Sequence, residues 1–256
     1  MKSEVLLEAV RLSHAFRPDR RVLDDISIGF IAGELAVIAG RNGAGKTLLA
    51  SCLAGLIEPS AGEVRFGGSG LRTLKGSHAA RIAYIFQNAA LQILGDSVLD
   101  DVLFGLEALG VEREEARYRA ARALEAVSLA GKEGCIPWQL SGGEQRRLAI
   151  ASQLALDPPV LILDEPFANL DWASISSVLS ILIDLHKRGR TLIILTHELD
   201  KVLGLADRLI IMDAGRIVLD GEPESVLREG IEGFGLRDPL HHPFSIKDLL
   251  WLDPDR

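Results

Sequence analysis

Four short and almost wholly apolar runs constrain the fold of this chain more than any other feature of its sequence. They span residues 35–39, 160–163, 191–195 and 209–212. Each run has the length of a strand, and continuous apolar strands are typical of a mainly parallel sheet that is buried on both faces. Helical patterns lie between the runs and would cover such a sheet. The sequence therefore predicts an α/β fold built from βαβ units.

Three regions depart from this alternation. Residues 92–141 lack strand-like runs and contain a strong helical pattern at 112–127, which indicates a helical insertion of about residues 92–155. Residues 5–10 and 26–30 alternate between apolar and polar side chains, as antiparallel strands do. From about residue 222 onward, glycine, proline and charged residues increase. We therefore predict a main domain of residues 1–225 and a short C-terminal appendage of residues 226–256.

Composition excludes several classes of protein. A hydrophobic fraction of 48% with 25% charged residues is ordinary for a globular domain. Cys52 and Cys135 cannot form a disulfide framework, so we expect a reducing cytoplasm and read both as small core residues. The net charge of −8 argues against a broad surface for nucleic acid. Glu4 and Glu8 interrupt any secretion signal and no run reaches the length of a membrane span, so we expect any membrane association to be peripheral.

The segment after the first apolar run fits the phosphate-binding pattern G-x-x-x-x-G-K-[ST], and a helical pattern begins directly behind it. It consists of Gly40, Arg41, Asn42, Gly43, Ala44, Gly45, Lys46 and Thr47, followed by Leu48. Glycines allow successive N–H groups to point at one anion, and the helix N-terminus adds its positive dipole end. We predict that Lys46 contacts the terminal phosphates of a nucleoside triphosphate and that the Thr47 hydroxyl is a ligand of Mg²⁺.

Two further segments carry candidate chemistry. Asp164 and Glu165 end the second apolar run, where α/β proteins place their ligands, and we assign Asp164 to Mg²⁺ and Glu165 to the attacking water. A capping box with two glycines opens a later helix and suggests a second anion site, formed by Ser141, Gly142, Gly143, Glu144 and Gln145. Arg146 and Arg147 follow it, and we interpret them as solvated or ion-paired charges rather than a basic patch.

Together these three segments resemble the nucleotide-binding subunit of ATP-binding cassette (ABC) transporters, over nearly the whole chain. The resemblance implies a P-loop NTPase fold of the α/β class. That fold has a mainly parallel ABC ATPase core, an N-terminal antiparallel β subdomain and an inserted α-helical subdomain. It also implies that Gln87 senses Mg²⁺ and that Asp171 belongs to the loop that communicates between subunits. By the same resemblance, His197 is the switch histidine near the γ-phosphate, and Phe16 stacks on adenine, with His14 as the alternative ring.

The resemblance extends to a branch of the family. Gln92 follows Gln87 by five residues, and an acidic and aromatic stretch continues to Gly105, as in the energy-coupling factor importers of vitamins, cobalt and nickel. Here Ala89, Ala90 and Leu91 replace the proline and acidic residues usual between the two glutamines. This branch implies a peripheral ATPase on the cytoplasmic face of the membrane. Its partners would be a second ATPase subunit, identical or paralogous and packed head to tail, a transmembrane coupling subunit and a substrate-binding membrane subunit.

Other classes remain as alternatives. The chain could serve another ABC importer, or a DNA-associated ATPase with the same cassette. The second is disfavoured because no coiled coil or zinc module interrupts the cassette and the net charge is negative. A non-hydrolysing regulatory module is disfavoured because Lys46, Asp164, Glu165 and His197 are all present. His241 and His242 could suggest a metal, but no third ligand lies nearby in the sequence.

Overall fold

A computed structural model describes residues 5–17, 20–73 and 81–240, and these form ten strands and six α-helices. The strands are β1 (Val5–Arg17), β2 (Arg20–Ile31), β3 (Leu35–Ala39), β4 (Ala61–Phe66), β5 (Ser69–Gly70), β6 (Ile82–Ile85), β7 (Val160–Asp164), β8 (Thr191–Leu195), β9 (Arg208–Asp213) and β10 (Arg216–Gly221). The helices are α1 (Lys46–Leu53), α2 (Val98–Ala108), α3 (Arg113–Ala126), α4 (Gly142–Leu154), α5 (Trp172–Lys187) and α6 (Pro223–Arg228).

The strands form two sheets. A six-stranded sheet has the order β10-β9-β3-β8-β7-β6, in which β9, β3, β8, β7 and β6 are parallel and β10 pairs antiparallel with β9. A four-stranded antiparallel sheet has the order β2-β1-β4-β5. The predicted α/β core and the antiparallel N-terminal sheet are both confirmed. The carboxyl ends of β3, β6, β7 and β8 meet at one edge of the larger sheet, where α/β proteins bind ligands.

Alternate side chains of the central strands enter two separate hydrophobic clusters. From β3, Leu35 and Val37 face the cluster that contains α2 to α5, whereas Ala36 and Ile38 face the cluster that contains α1 and the four-stranded sheet. The larger sheet is thus covered on both faces, which explains why its strands read as uninterrupted apolar runs. Helix α1 lies between the two sheets, so the loop that precedes it is anchored on both sides.

The insertion between β6 and β7 contains α2, α3 and α4, as predicted. Helix α3 buries Ala116, Ala120, Ala123 and Leu124 on one face, the spacing that indicated a helix in the sequence. Side chains cap the N-termini of these helices: the Ser97 side chain accepts from the Asp100 N–H at α2, and Ser141 accepts from the Glu144 N–H at α4. These caps satisfy N–H groups that have no partner within a helix, and they define where each helix begins.

The structure corrects one expectation about the core and adds detail at the C-terminus. Cys52 is buried as expected, but Cys135 is exposed, because it lies in a loop before α4 rather than on a packed helix face. The predicted boundary after residue 225 falls within α6, and Val226, Ile231 and Leu236 are buried in the larger cluster. The remainder of the predicted appendage from residue 241 onward, including His241 and His242, lies outside the described residues. Among the helices of the described ranges, none combines the length and apolar character needed to cross a bilayer.

Candidate nucleotide site

The loop between β3 and α1 encloses the ammonium group of Lys46. The Lys46 Nζ donates hydrogen bonds to the carbonyl oxygens of Gly40 at 2.7 Å and Arg41 at 3.4 Å. Gly45 adopts a φ of 101°, which L-residues rarely adopt, and a Cβ there would lie 2.9 Å from the Leu23 side chain. Burial lowers the pKa of Lys46, and the carboxylates of Glu165 and Asp164 oppose that shift. A cation at a helix N-terminus gives this loop the charge and geometry to receive phosphate groups.

A cavity of about 390 Å³ opens in front of this loop. Most of the residues predicted for the nucleotide site line it: Phe16, Asn42, Gly43, Ala44, Gly45, Lys46, Thr47, Leu48, Gln87, Asp164, Glu165 and His197. Phe16 is exposed and lines the cavity, whereas its neighbour His14 does not and has its Nδ1 3.1 Å from the Glu58 carbonyl oxygen. The Arg41 side chain turns to Asp213, with Nε and Oδ1 2.8 Å apart, and is not among the lining residues.

Asp164 ends β7 beside the phosphate loop. Its Oδ2 accepts hydrogen bonds from the Thr47 hydroxyl at 2.8 Å and from the Tyr84 hydroxyl at 3.0 Å. Burial raises the pKa of Asp164, while the hydrogen bonds from Thr47 and Tyr84 lower it. The 2.8 Å between the Thr47 and Asp164 oxygens is close to the spacing of about 2.9 Å between adjacent ligands in an octahedron with Mg²⁺ bonds of about 2.05 Å. These hard oxygen donors therefore fit Mg²⁺.

Glu165 turns away from the line of β7. It has a φ of 45°, and its N–H donates to the Leu195 carbonyl oxygen at the end of β8. Its Oε2 accepts from the Thr196 hydroxyl at 2.9 Å, and its Oε1 lies 2.7 Å from the His197 Nδ1. Strand β7 ends at Asp164, and the left-handed conformation at the next residue aims Glu165 towards β8.

The main chain around Gln87 is held by two side chains from the helical insertion. The Gln92 amide accepts from the Phe86 N–H at 2.7 Å and donates to the Tyr84 carbonyl at 2.8 Å. The Arg146 guanidinium donates to the carbonyl oxygens of Phe86, at 2.6 Å, and of Gln87. Arg146 is only 4% exposed, so its interpretation as a solvated or ion-paired charge was wrong. It links the first turns of α4 to the Gln87 loop through main-chain carbonyls.

The structure does not bring the second predicted anion site into this cavity. None of Ser141, Gly142, Gly143, Glu144, Gln145 and Asp171 lines it. Ser141 and Glu144 form the predicted capping box of α4, and hydrogen bonds from Lys132 and from the Ser141 N–H lower the pKa of Glu144 to about 2. Asp171 caps α5 by accepting from the Ser174 N–H at 2.9 Å. The side chains of Glu144 and Asp171 are thus engaged in positioning the starts of α4 and α5.

Two glycines at the start of α4 differ in what surrounds them. A Cβ at Gly143 would lie 2.2 Å from the Ser174 Oγ, so this glycine allows α4 to approach α5 closely. A Cβ on Gly142 would meet no described atom within 4 Å. Close packing against α5 therefore explains why residue 143 is glycine. No packing within the described part of the chain requires glycine at residue 142, and the N-terminus of α4 is open there to an approaching group.

Two residues that hold the carboxylates of the cavity wall were missed in the sequence. Thr196 directly precedes His197 and holds the second oxygen of Glu165. Tyr84 lies in the apolar strand β6 and holds Asp164. A buried tyrosine normally finds a hydrogen-bond partner for its hydroxyl, so the tyrosine in an otherwise apolar run was the available signal. Its partner is distant in the chain and could not be read from that run.

The order of the sheet, the phosphate loop and the strand-end carboxylates define a nucleotide hydrolase of the P-loop class. Residues 23–168, more than half of the chain, match the family model described as ABC transporter. The chain belongs to the ABC transporter family, as one of its ATP-binding proteins, and it is an ATP hydrolase.

Individual relatives agree with this assignment. The chain is 42% identical to a Halobacterium salinarum protein provisionally named an ABC transporter ATP-binding protein, with 91% of this chain and all of that protein covered. It is 40% identical to the cobalt import ATP-binding protein CbiO of Syntrophus aciditrophicus, over 85% of this chain and 78% of that protein. The solved structure of CbiO1 from Clostridium perfringens, described as part of the ABC transporter complex CbiONQ, superposes with a TM-score of 0.80. The two sequences are 31% identical, and the superposition covers 92% of this chain and 96% of the CbiO1 chain.

Proposed function

We propose that this chain is the ATP-hydrolysing subunit of an import complex of the energy-coupling factor type. In this proposal it drives uptake of a vitamin or a transition-metal ion through membrane partner subunits. One observation carries the catalytic part: Lys46, the adjacent Asp164 and Glu165, and His197 come from three separate segments and line one cavity. The relatives named for cobalt import support the importer branch.

The residues of the cavity take distinct roles in this proposal. Lys46 and the N–H groups of the phosphate loop bind the β- and γ-phosphates, and Phe16 stacks on adenine. Thr47, Asp164 and Gln87 would hold Mg²⁺, which supplies charge neutralisation for the phosphates when bound. Glu165 orients and polarises the attacking water, and His197 is positioned beside the γ-phosphate by its contact with Glu165. Phosphoryl transfer depends chiefly on such positioning and charge stabilisation.

The proposal includes a second ATPase subunit packed head to tail. The segment from Ser141 to Gln145 opens α4 outside the Lys46 cavity, and no described atom of the same chain covers Gly142. A helix N-terminus with an open glycine suits a phosphate group, so the nucleotide of a partner subunit is its proposed ligand. Asp171 accepts from the Ser174 N–H at the start of α5, and the Ser174 side chain lies against Gly143 of the same segment. Asp171 therefore belongs to this interface in the proposal. The partner is a second copy or a paralogue.

The membrane partner is proposed to dock beside Gln87. Four large apolar side chains between residues 86 and 104 are exposed, namely Phe86, Leu91, Leu94 and Phe104. Exposed apolar residues concentrated near a functional loop mark an interaction surface. A transmembrane coupling subunit, together with a substrate-binding membrane subunit, would use this segment on the cytoplasmic side of the membrane.

The test is purification of the intact complex from membranes through a tag on this chain. We expect membrane subunits to co-purify, and mass spectrometry for organic ligands with elemental analysis for metals should identify the substrate. Leu91→Glu combined with Leu94→Glu should reduce the recovery of membrane subunits, while Tyr118→Glu, a change at an exposed residue of α3, should not. Recovery without membrane proteins, together with salt-dependent retention on DNA, would favour the DNA-associated class instead.

A further inference from the structure

Tyr84 lies on the sheet face that carries Asp164. In the parallel pairing of β6 with β7, Tyr84 is opposite Ile162. Because side chains of a strand alternate between faces, Ile162 and Asp164 point to the same side as Tyr84. Asp164 is therefore a diagonal neighbour of Tyr84, a distance that a long aromatic side chain can span. The hydroxyl of Tyr84 reaches the Asp164 Oδ2 at 3.0 Å.

The environment of Tyr84 makes its hydroxyl a fixed donor. The residue is 6% exposed, and its ring belongs to the cluster between the two sheets. The Asp164 carboxylate oxygen can only accept, so the Tyr84 hydroxyl is the donor in the hydrogen bond between them. Its ring is held by packing, and its hydroxyl does not line the nucleotide cavity. Tyr84 is thus suited to orienting a neighbouring group rather than contacting a ligand.

Asp164 Oδ2 accepts hydrogen bonds from the Thr47 and Tyr84 hydroxyls, which differ in their other contacts. The Thr47 hydroxyl belongs to the phosphate loop and is itself a proposed ligand of Mg²⁺, so it is not dedicated to Asp164. Tyr84 comes from a separate strand and has no proposed contact with nucleotide or cation. We propose that Tyr84 is a positioning residue whose hydroxyl holds the Asp164 carboxylate in the orientation that binds the divalent cation. This inference rests on the proposed Mg²⁺ site.

The test compares Tyr84→Phe with the unaltered chain, using a fluorescent ATP analogue titrated in EDTA and then with increasing Mg²⁺. Removing an outer partner of a metal ligand typically weakens metal binding by about 10- to 100-fold. We expect the Mg²⁺ concentration for half-maximal tightening of nucleotide binding to rise by about 10-fold. Affinity in EDTA should stay unchanged. Direct Mn²⁺ binding in the presence of ATP, followed by electron paramagnetic resonance, should weaken in parallel.

Controls separate positioning from packing. Tyr118→Phe removes an exposed hydroxyl on α3 and should leave the Mg²⁺ titration unchanged. Thermal unfolding of Tyr84→Phe in EDTA reports any loss of packing. An unchanged Mg²⁺ titration in Tyr84→Phe would overturn the inference, as would equal losses of affinity in EDTA and in Mg²⁺. If the unaltered chain binds nucleotide with no dependence on Mg²⁺, the proposed cation site itself fails, and the inference fails with it.

Discussion

Replacing Glu165 by glutamine tests the catalytic assignment with the least disturbance to the fold. Glu165 is 6% exposed, and both of its carboxylate oxygens have partners, Thr196 and His197. The carbonyl oxygen of glutamine can accept from the Thr196 hydroxyl, and its amide can donate to the His197 Nδ1 when the ring proton is on Nε2. The substitution therefore keeps the volume and the hydrogen bonds and removes the negative charge.

The expected size of the effect follows from that loss. A positioned general base contributes about 10²- to 10⁴-fold to a rate, which corresponds to about 3 to 5 kcal/mol of transition-state stabilisation. We expect kcat for ATP hydrolysis to fall within this range while nucleotide affinity is retained, because residues 40–47 and Asp164 are unchanged. In the proposed head-to-tail pair, ATP holds the two subunits closed and its hydrolysis reopens them. The closed pair should therefore accumulate with ATP and Mg²⁺ in this variant, since hydrolysis is slowed.

Two assays measure these outcomes. Phosphate release reports turnover of the assembled complex, and light scattering reports the shift towards a dimer, which will need the added paralogue if the partner is not a second copy. Glu198→Gln is the matched control, because it removes a nearby charge whose partner is Lys201 rather than the cavity. Turnover of Glu165→Gln at the level of the unaltered complex, or an equal fall in both variants, would remove Glu165 from the catalytic role.

Three further substitutions address the other contacts. Lys46→Ala should weaken ATP binding, measured by equilibrium titration, because it removes the cation held at Gly40; near-normal affinity and turnover would contradict the phosphate site. Ser141→Arg should leave ATP binding to an isolated subunit intact and block turnover of the complex, at a cost of about 1 kcal/mol from the lost helix cap; lost binding in the monomer would argue against a shared site. Arg146→Met should lower the free energy of unfolding by about 2 to 4 kcal/mol in urea titrations, because it leaves the Phe86 and Gln87 carbonyls without their charged donor. The exposed Arg122→Met should change stability little.

The fold could be predicted because its signals are local. Runs such as residues 35–39 and 160–163 need no information from elsewhere in the chain to indicate strands buried on both faces. The apolar spacing in α3 and the capping box at Ser141 likewise lie within a few residues. These patterns give the element types and the approximate insertion. The burial of Val226, Ile231 and Leu236 was not predicted. The glycine, proline and charged residues around them indicated an appendage outside the core.

The site could be predicted only in part, for the same physical reason. The phosphate loop and the acidic pair are contiguous motifs, so their residues were found directly. Arg146 and Tyr84 act across about 60 and 80 residues of sequence, and nothing local distinguishes a buried guanidinium from a solvated one on a polar helix. Arg146 is buried because α4 packs beside the end of β6. There the main-chain carbonyls of Phe86 and Gln87 accept the hydrogen bonds that the guanidinium would otherwise give to water. The role of Arg146 depends on the packing of two segments that are distant in sequence. The residue pattern of a single helix does not predict that packing.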